Sequence, residues 1–447
     1  MVRIAFVGAG STVFVKNIVG DLFVDPRVPA DLSIALYDID GVRLEESRLV
    51  VDALNGRYND GRATVSTHHG TERRREALAG ADVVINTIQV GGYRPATVAD
   101  FEIPKKYGLR QTIGDTLGIG GIFRGLRTIP VVMEIAAELE EAAPRALFLN
   151  YTNPMAIVTG ALLHHTPIQT VGLCHSVQGC SKSLLETLGM EYDENRVRDY
   201  IAGINHMGWL LEITQDGKDI YPEIRERAKE KVAEWRKAKK EDKSGNIIRL
   251  ALMDYFGYYM TESSEHNAEY SPYWIKKQYP HLIEEFNIPL DEYPRRCVNQ
   301  IAKWADQSKE LLENPCLTHE QSHEYGSVIM DAIMTNKPAQ IGGNVLNYGL
   351  ISNLPDEAVV EVPCLVDSNG IQGTQVGTLP EQLAALNRTN INVHLLTIEA
   401  AVTRKKEHIY HAAMLDPHTS AELTLDEIRD MCDEMIEAHG DMMPDFE

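Results

Sequence analysis

The chain has 447 residues, of which 44% are hydrophobic and 24% are charged, a balance typical of a globular protein. Its formal net charge of −22 argues against nucleic-acid or anionic-membrane partners, because their phosphates would be repelled. No apolar run approaches the roughly 18–20 residues that a membrane-spanning helix needs.

The number and spacing of the cysteines predict that the protein resides in a reducing compartment. The six cysteines are scattered without the spacing of a disulfide framework or a zinc finger, and we expect a cytoplasmic protein. The first residues, MVRIAFVGAG, enter a glycine turn and lack a signal-peptide cleavage site. The cysteines are Cys174, Cys180, Cys297, Cys316, Cys364 and Cys432.

The first third of the chain alternates between short apolar runs and helical patterns. Strands are predicted at RIAFVGAG, SIALYDID, ATVST, ADVVINTI and ALFLNYTNP, with helices over residues 42–58 and 121–142 between them. Such alternation indicates an α/β fold with a Rossmann-like parallel sheet covered by helices on both faces.

The pattern changes beyond about residue 200. A charge-dense helix is predicted over residues 223–243, and a mainly helical stretch over 379–439. We therefore expect a dinucleotide-binding lobe at 1–200. The rest, 201–447, should form a mainly helical α+β lobe for substrate, metal and oligomerisation, with the active cleft between the two.

A glycine turn follows the first predicted strand. Gly8 and Gly10 would let backbone N–H groups approach a pyrophosphate, although Val13 occupies the place of the third glycine of the G-x-G-x-x-G pattern. The second strand ends at Asp38 and Asp40, and the gap between Gly8 and this acid is about ten residues longer than the usual spacing of roughly 20. An acid there would bind the ribose hydroxyls of NAD and repel the 2′-phosphate of NADP.

Three short segments place polar residues at predicted strand ends: NYTNP (150–154), GLCHS (172–176) and GINHM (203–207). Ligands bind beyond the carboxyl ends of strands in open α/β sheets, where such segments converge. Cys174 and His206 offer a thiolate and an imidazole to a divalent ion in an open site. On these residues alone, a buried cysteine and a hydrogen-bonded histidine explain the pattern equally well.

Longer motifs extend along nearly the whole chain. VGAGSTVFVKN, IGDTLGIGGIFRGLRTIP, LNYTNPMA, GLCHSVQG, GINHMGW, TESSEHNAEY and VDSNGIQGTQVGTLP follow one another from residue 7 to about 380. In this order they resemble the family 4 glycoside hydrolases, and among these the melibiase-type α-galactosidases. The resemblance implies NAD, Mn²⁺ or another divalent metal, a small α-galactoside as substrate, and a homodimer or homotetramer.

The resemblance also implies an unusual mechanism, because NAD-dependent glycosidases are exceptions to the two-carboxylate rule. The hydride at C3 of the sugar moves to NAD, and the ketone acidifies the C2 proton for removal by a base. A metal stabilises the enediolate as a Lewis acid. The leaving group departs from C1, water adds, and the hydride returns.

Catalytic and metal-binding roles are carried over at matched motifs. Cys174 and His206 stand at metal-ligand positions, and His175 stands where relatives carry the leaving-group acid, a role that an imidazole can fill near neutral pH. Glu262 occupies the base position, where phosphoglycoside-cleaving members have a tyrosine. Tyr259 and Glu265 remain alternatives for the base.

The match also suggests binding residues. Asn153 and Asp115 are assigned to substrate, and no phosphate-binding arginine is evident in SSEHNAEYSPYWIKK, which favours an unphosphorylated hexoside. The residues assigned to the cofactor are Gly8, Gly10, Ser11, Asp38, Gln89 and Asn150.

Several alternatives stay open on the sequence. Within the family, α-galacturonidase and α-glucosidase specificities differ only at C4 or C6 of the sugar. A malate- or lactate-type dehydrogenase shares the start of the fold and the N-P motif, but needs no cysteine–histidine metal pair. A non-catalytic NAD sensor would cleave no glycoside.

Overall fold

A computed structural model describes residues 1–313, 317–322 and 324–447, so that Cys316 lies outside the described residues. Within these ranges thirteen strands join one mixed sheet, and no helix has the length and apolarity to cross a membrane. The strands are β1 (Arg3–Val7), β2 (Ser33–Asp38), β3 (Thr64–His69), β4 (Val83–Asn86), β5 (Leu147–Asn150), β6 (Gln169–Gly172), β7 (Val197–Ile204), β8 (Met207–Gln215), β9 (Lys218–Asp219), β10 (Tyr259–Met260), β11 (Ala339–Leu346), β12 (Val359–Asp367) and β13 (Gly370–Gly373).

Seventeen α-helices in the described residues surround this sheet. They are α1 (Thr12–Val24), α2 (Gly41–Tyr58), α3 (Arg74–Leu78), α4 (Val98–Lys106), α5 (Gly118–Ala142), α6 (Met155–His165), α7 (Cys180–Thr187), α8 (Tyr221–Trp235), α9 (Ile247–Phe256), α10 (Ser264–Glu269), α11 (His281–Glu285), α12 (Glu292–Glu313), α13 (Tyr325–Thr335), α14 (Glu381–Thr403), α15 (Lys406–Leu415), α16 (Pro417–Glu422) and α17 (Leu425–His439).

The first six strands form the predicted Rossmann-like sheet. They are parallel and lie in the order β3-β2-β1-β4-β5-β6, with the change of direction between β1 and β4. Strands such as VVIN and LFLN are apolar throughout because helices bury both of their faces. The order places a dinucleotide crevice at the carboxyl ends of β1 and β4.

The second half contributes antiparallel strands to the same sheet. β11 pairs with β6, and the order continues through β12, β7 and β8 to β10. The predicted domain boundary at residue 200 therefore falls inside β7. The second half is rich in helix, as expected, but its strands extend the Rossmann-like sheet.

Predicted helices agree with the observed ones except at their ends. The helix predicted over 42–58 is α2, and the one over 121–142 begins three residues earlier, at Gly118. The charge-dense helix ends at Trp235, well before the predicted residue 243. Beyond Trp235 the sequence RKAKKEDK offers no large apolar side chain to pack on the core, only the methyl group of Ala238, and the helix loses its tertiary support.

Candidate active site

Three potential metal ligands converge from separate elements. Cys174 follows β6, His206 lies in the turn between β7 and β8, and Glu262 follows β10. Cys174 Sγ is 3.3 Å from His206 Nε2, which is 3.4 Å from Glu262 Oε2. One ligand atom from each residue lies within 4.8 Å of the others. We call these three residues the ligand cluster; the sequence had predicted two of them as ligands.

Two members of this cluster have a strained backbone. His206 has φ +63° and Glu262 has φ +65°, a left-handed conformation that costs a non-glycine residue about 1 kcal/mol or more. Neighbouring contacts hold both residues in place. His206 Nδ1 shares a hydrogen bond of 2.9 Å with the Tyr270 hydroxyl, and Arg249 donates to the carbonyl oxygen of Glu262. Strain retained in this way is typical of a functional site.

The charges in the cluster favour a cation at its centre. Burial lowers the pKa of His206, but the charges of Cys174 and Glu262 outweigh burial and raise it to about 10. His206 Nε2 lies 3.3 Å from Cys174 Sγ and 3.4 Å from Glu262 Oε2, and a divalent ion would replace a proton at this nitrogen. Thiolate, imidazole and carboxylate are all established metal donors, so the residues fit a divalent transition metal.

Two neighbouring imidazoles set the pKa of Glu262. Burial acts to raise this pKa, but the charges of His206 and His266 lower it to about 2. Glu262 is therefore an anion in this arrangement.

The two alternatives for the base lie outside the cluster. Tyr259 is fully buried, and its hydroxyl bonds to Asn246 and Arg249. Glu265 accepts a hydrogen bond of 2.9 Å from Arg296. Because both groups have other partners, the geometry favours Glu262 among the three candidates.

His175 lies at the edge of the site with an acidic partner that the sequence did not reveal. Its Nε2 is 2.7 Å from Glu324 Oε2, and this hydrogen bond and the carboxylate's charge raise the pKa of the imidazole. Glu324 belongs to a segment held on α1, where Asp21 accepts hydrogen bonds from Ser322. The partner is 149 residues away in the chain.

A second polar group joins the two predicted substrate residues. Asn153 Nδ2 donates to Asp115 Oδ2 over 3.4 Å. His266, which sequence reasoning missed, lies 3.8 Å from Asp115 and 3.4 Å from Glu262 and so links this pair to the ligand cluster. Although burial opposes it, His266 and the charge of Arg124 lower the pKa of Asp115. The short separation of Glu262 and His266, four residues apart in the chain, was the available signal.

A buried glutamate holds the loop that carries Asp115. Glu269 accepts backbone N–H groups from Thr112 (2.8 Å) and Gly114 (2.7 Å). Burial raises the pKa of Glu269 to about 7, against the opposing effect of these N–H groups. The loop also packs closely on α5: a Cβ on Gly120 would lie 2.3 Å from the Gly114 carbonyl oxygen.

The glycine turn lies in the crevice between β1 and β4. Gly8 has φ +89°, and a Cβ there would lie 2.9 Å from the carbonyl carbon of Thr87. The Gly10 N–H donates to Asp38 Oδ2 over 2.6 Å. Ser11 precedes α1 and makes no capping bond with its side chain. Val13, at the place of the missing third glycine, is exposed and leaves the helix packing undisturbed.

Two further residues assigned to the cofactor follow or end neighbouring strands. Gln89 follows β4 and is exposed. Asn150 is fully buried, and its amide bonds to Asn86, Thr152 and Thr159. Its side chain therefore holds the strand-end loop, and its assignment to the cofactor stays a prediction.

Comparisons with known proteins agree with this architecture. The model for family 4 glycosyl hydrolases matches residues 3–190, and that for the C-terminal domain of the family matches 201–419. The chain is 59% identical to an α-galactosidase of Bacillus subtilis (strain 168), with all of both chains covered. It is 32% identical to an α-galactosidase of Rhizobium meliloti (strain 1021), covering 99% of this chain and 89% of that one.

Solved structures have the same fold. A putative glucosidase of Bacillus subtilis has a TM-score of 0.86 at 26% identity, with 97% and 99% of the two chains covered. A 6-phospho-α-glucosidase from gut microorganisms, solved with NAD and Mn²⁺, has a TM-score of 0.81 at 22% identity over the full length of both chains. The two family models and the relative of 59% identity exclude the alternative of a malate- or lactate-type dehydrogenase. The chain belongs to glycosyl hydrolase family 4.

Proposed function

We propose that this protein is an α-galactosidase that depends on NAD and a divalent metal, with Mn²⁺ as the first candidate. The ligand cluster beside a dinucleotide crevice is the observation that carries the proposal, because a two-carboxylate glycosidase needs neither feature. The galactoside is supported by the full-length relative of 59% identity, whereas relatives called α-galacturonidase or α-glucosidase are 26–28% identical.

Each external group has residues that suit it. When bound, NAD accepts and returns a hydride, and a divalent metal polarises the neighbouring sugar oxygens. Cys174 and His206 would hold the metal, and the backbone at Gly8 and Gly10 would approach the pyrophosphate. Asp38 would receive the ribose hydroxyls.

The remaining residues handle protons and position the sugar. Glu262 would remove the C2 proton, since its carboxylate is ionised and adjoins the metal donors. His175 would protonate the departing oxygen, and Glu324 would keep its imidazole charged and oriented. Asp115 and Asn153 would bind hydroxyl groups of an unphosphorylated galactose.

The acid at the end of β2 can be tested against its neighbour. Asp38→Ala should weaken NAD binding about 10- to 100-fold and reduce discrimination against NADP, because the ribose loses its acceptor. Asp40 accepts the N–H groups of Val42 and Arg43 at the start of α2. Asp40→Ala should lower the free energy of unfolding by about 1 kcal/mol and leave NAD affinity unchanged. Calorimetric titration and urea denaturation measure the two effects; weaker NAD binding in Asp40→Ala alone would reverse the assignment.

Assembly and location complete the proposal. We propose a cytoplasmic homodimer or homotetramer with lobes at 1–200 and 201–447. The described cysteines are all free, which suits a reducing compartment. Val298 and Ile301 are 50% and 61% exposed on α12, which suits contact with another subunit. Light scattering would test the oligomeric state.

A panel of nitrophenyl glycosides tests the activity directly. We expect release from the α-galactoside, a requirement for NAD, Mn²⁺ and a reducing thiol, and no accumulation of NADH. Preference for the α-galacturonide or the α-glucoside would instead identify an α-galacturonidase or an α-glucosidase of the same family. Binding of NAD without cleavage of any glycoside would instead identify a sensor.

A further inference from the structure

Three ionisable side chains that the proposed mechanism does not use meet in the core of the molecule. Arg127 on α5 donates to both carboxylate oxygens of Asp100 on α4, over 3.1 Å from Nη1 and 2.7 Å from Nη2. His439, at the end of α17, places its Nε2 2.9 Å from Asp100 Oδ1. The side chains of Arg127, Asp100 and His439 are 0%, 2% and 0% exposed. We call these three residues the buried charge network.

The network is joined to the loop that follows β4. Arg127 Nε donates to the carbonyl oxygen of Val90 over 3.1 Å. The next residue, Gly91, has φ +79°, and a Cβ there would lie 2.4 Å from Ala96 Cβ and 3.0 Å from Met442 Sδ. The path of the loop is therefore fixed by a hydrogen bond from α5 and by close packing against the C-terminal residues.

The start of the same loop lies against the glycine turn of the dinucleotide crevice. A Cβ on Gly8 would lie 2.9 Å from the carbonyl carbon of Thr87 and 3.0 Å from the backbone nitrogen of Ile88. Gln89, which is assigned to the cofactor, separates Ile88 from Val90, the residue that the network holds. A shift at Val90 would therefore move the backbone that borders the glycine turn.

Stability alone is a weak explanation for this network. The cost of removing two charges from water can match or exceed their attraction, so apolar side chains of similar volume often serve a core as well. A planar guanidinium, however, holds its N–H groups in fixed directions and so fixes the groups that it binds relative to one another. His439 is itself held by stacking on Phe123 of α5, with ring centroids 5.7 Å apart. The arrangement suits positioning of the loop.

We propose that Arg127, Asp100 and His439 are positioning residues for NAD, which hold the loop after β4 on the path that the cofactor needs. The end of α17, in the second half of the chain, thereby sets the affinity of a crevice built by the first half. The inference rests on the proposed dependence on NAD. All three side chains are buried, so they act on the cofactor through the backbone at Val90.

Four variants test the network. Arg127→Lys keeps a cation beside Asp100 but loses the fork that also reaches Val90. His439→Leu removes the donor to Asp100, whereas His439→Gln retains an N–H group for it. His394→Leu is the matched control, because His394 is another buried histidine, on α14, whose Nδ1 has no hydrogen-bond partner among the residues that the structure describes. Calorimetric titration measures the affinities for NAD and Mn²⁺, and urea denaturation measures the free energy of unfolding.

We expect Arg127→Lys and His439→Leu to weaken NAD binding at least about 10-fold, as loss of one or two buried hydrogen bonds would. Mn²⁺ affinity, and kcat at saturating NAD, should change less than about threefold, because the loss lies in cofactor binding. His439→Gln should bind NAD within about threefold of the parent protein. His394→Leu should lower the free energy of unfolding and keep the parent's NAD affinity.

A purely structural network would give a different pattern. Unchanged NAD affinity in both Arg127→Lys and His439→Leu, with only the free energy of unfolding reduced, would overturn the inference. A parallel fall in Mn²⁺ affinity, or an equal loss of NAD affinity in His394→Leu, would also overturn it, because the variants would then loosen the whole protein. Absence of NAD binding by the parent protein would instead refute the proposed cofactor dependence.

Discussion

Cys174→Ala should lower kcat/KM by at least about 10³-fold, equivalent to about 4 kcal/mol of transition-state stabilisation. The thiolate contributes an anionic donor 3.3 Å from His206, and without it a divalent ion loses one of its few protein ligands. Metal affinity, measured by titration with Mn²⁺, should fall together with activity. Oxidation of the parent enzyme's thiol should have the same consequence, because the oxidised sulfur is a poor ligand.

The matched control is a cysteine remote from the cluster. Cys432 is buried in α17, and this burial raises the pKa of its thiol well above the ordinary value. Cys432→Ala should cost some stability but retain the affinity for Mn²⁺ and most of the activity. Equal loss of metal binding in both variants would remove Cys174 from its assigned role.

Glu262→Gln should lower turnover by about 10³-fold while metal affinity changes less than about 10-fold. The amide keeps the size of the side chain but cannot accept the C2 proton, so the step it performs is lost. NAD binding should persist, because the residues assigned to the pyrophosphate and the ribose lie at the ends of β1 and β2, whereas Glu262 follows β10. Steady-state kinetics and titration with Mn²⁺ separate these effects.

Glu265→Gln is the matched control, three residues further along the chain. Glu265 is paired with Arg296, so its replacement should change turnover less than about threefold. If Glu262→Gln lost metal as completely as Cys174→Ala, Glu262 would be a ligand and the base would have to be another group. A larger loss in Glu265→Gln than in Glu262→Gln would exchange their roles.

Local sequence patterns predicted the cofactor half of the fold well. A β-strand, a glycine turn, a helix and an acid are separated by short distances along the chain, and each has its own local signal. The antiparallel strands were harder to place, because β7 and β12 are neighbours in the sheet although more than 150 residues separate them. Pairing over such distances leaves no local periodicity to read.

The same distinction applies to the site. Cys174 and His206 were named from compact motifs, whereas Glu324 and Glu269 act through contacts 149 and 155 residues distant. Asn150 also has partners outside its own motif, because its buried amide bonds to Asn86 on the neighbouring strand and to Thr159. Tertiary contacts decide which polar residue of a motif faces the ligand.

The fate of the hydrogen at C2 tests the central claim most directly. Turnover of an α-galactoside in heavy water should place deuterium at C2 of the released galactose, and removal of NAD should abolish turnover. Glu262→Gln should lose the exchange together with the activity. A displacement at C1 never breaks the C2–H bond, so an unlabelled C2 combined with a rate independent of NAD would contradict the account.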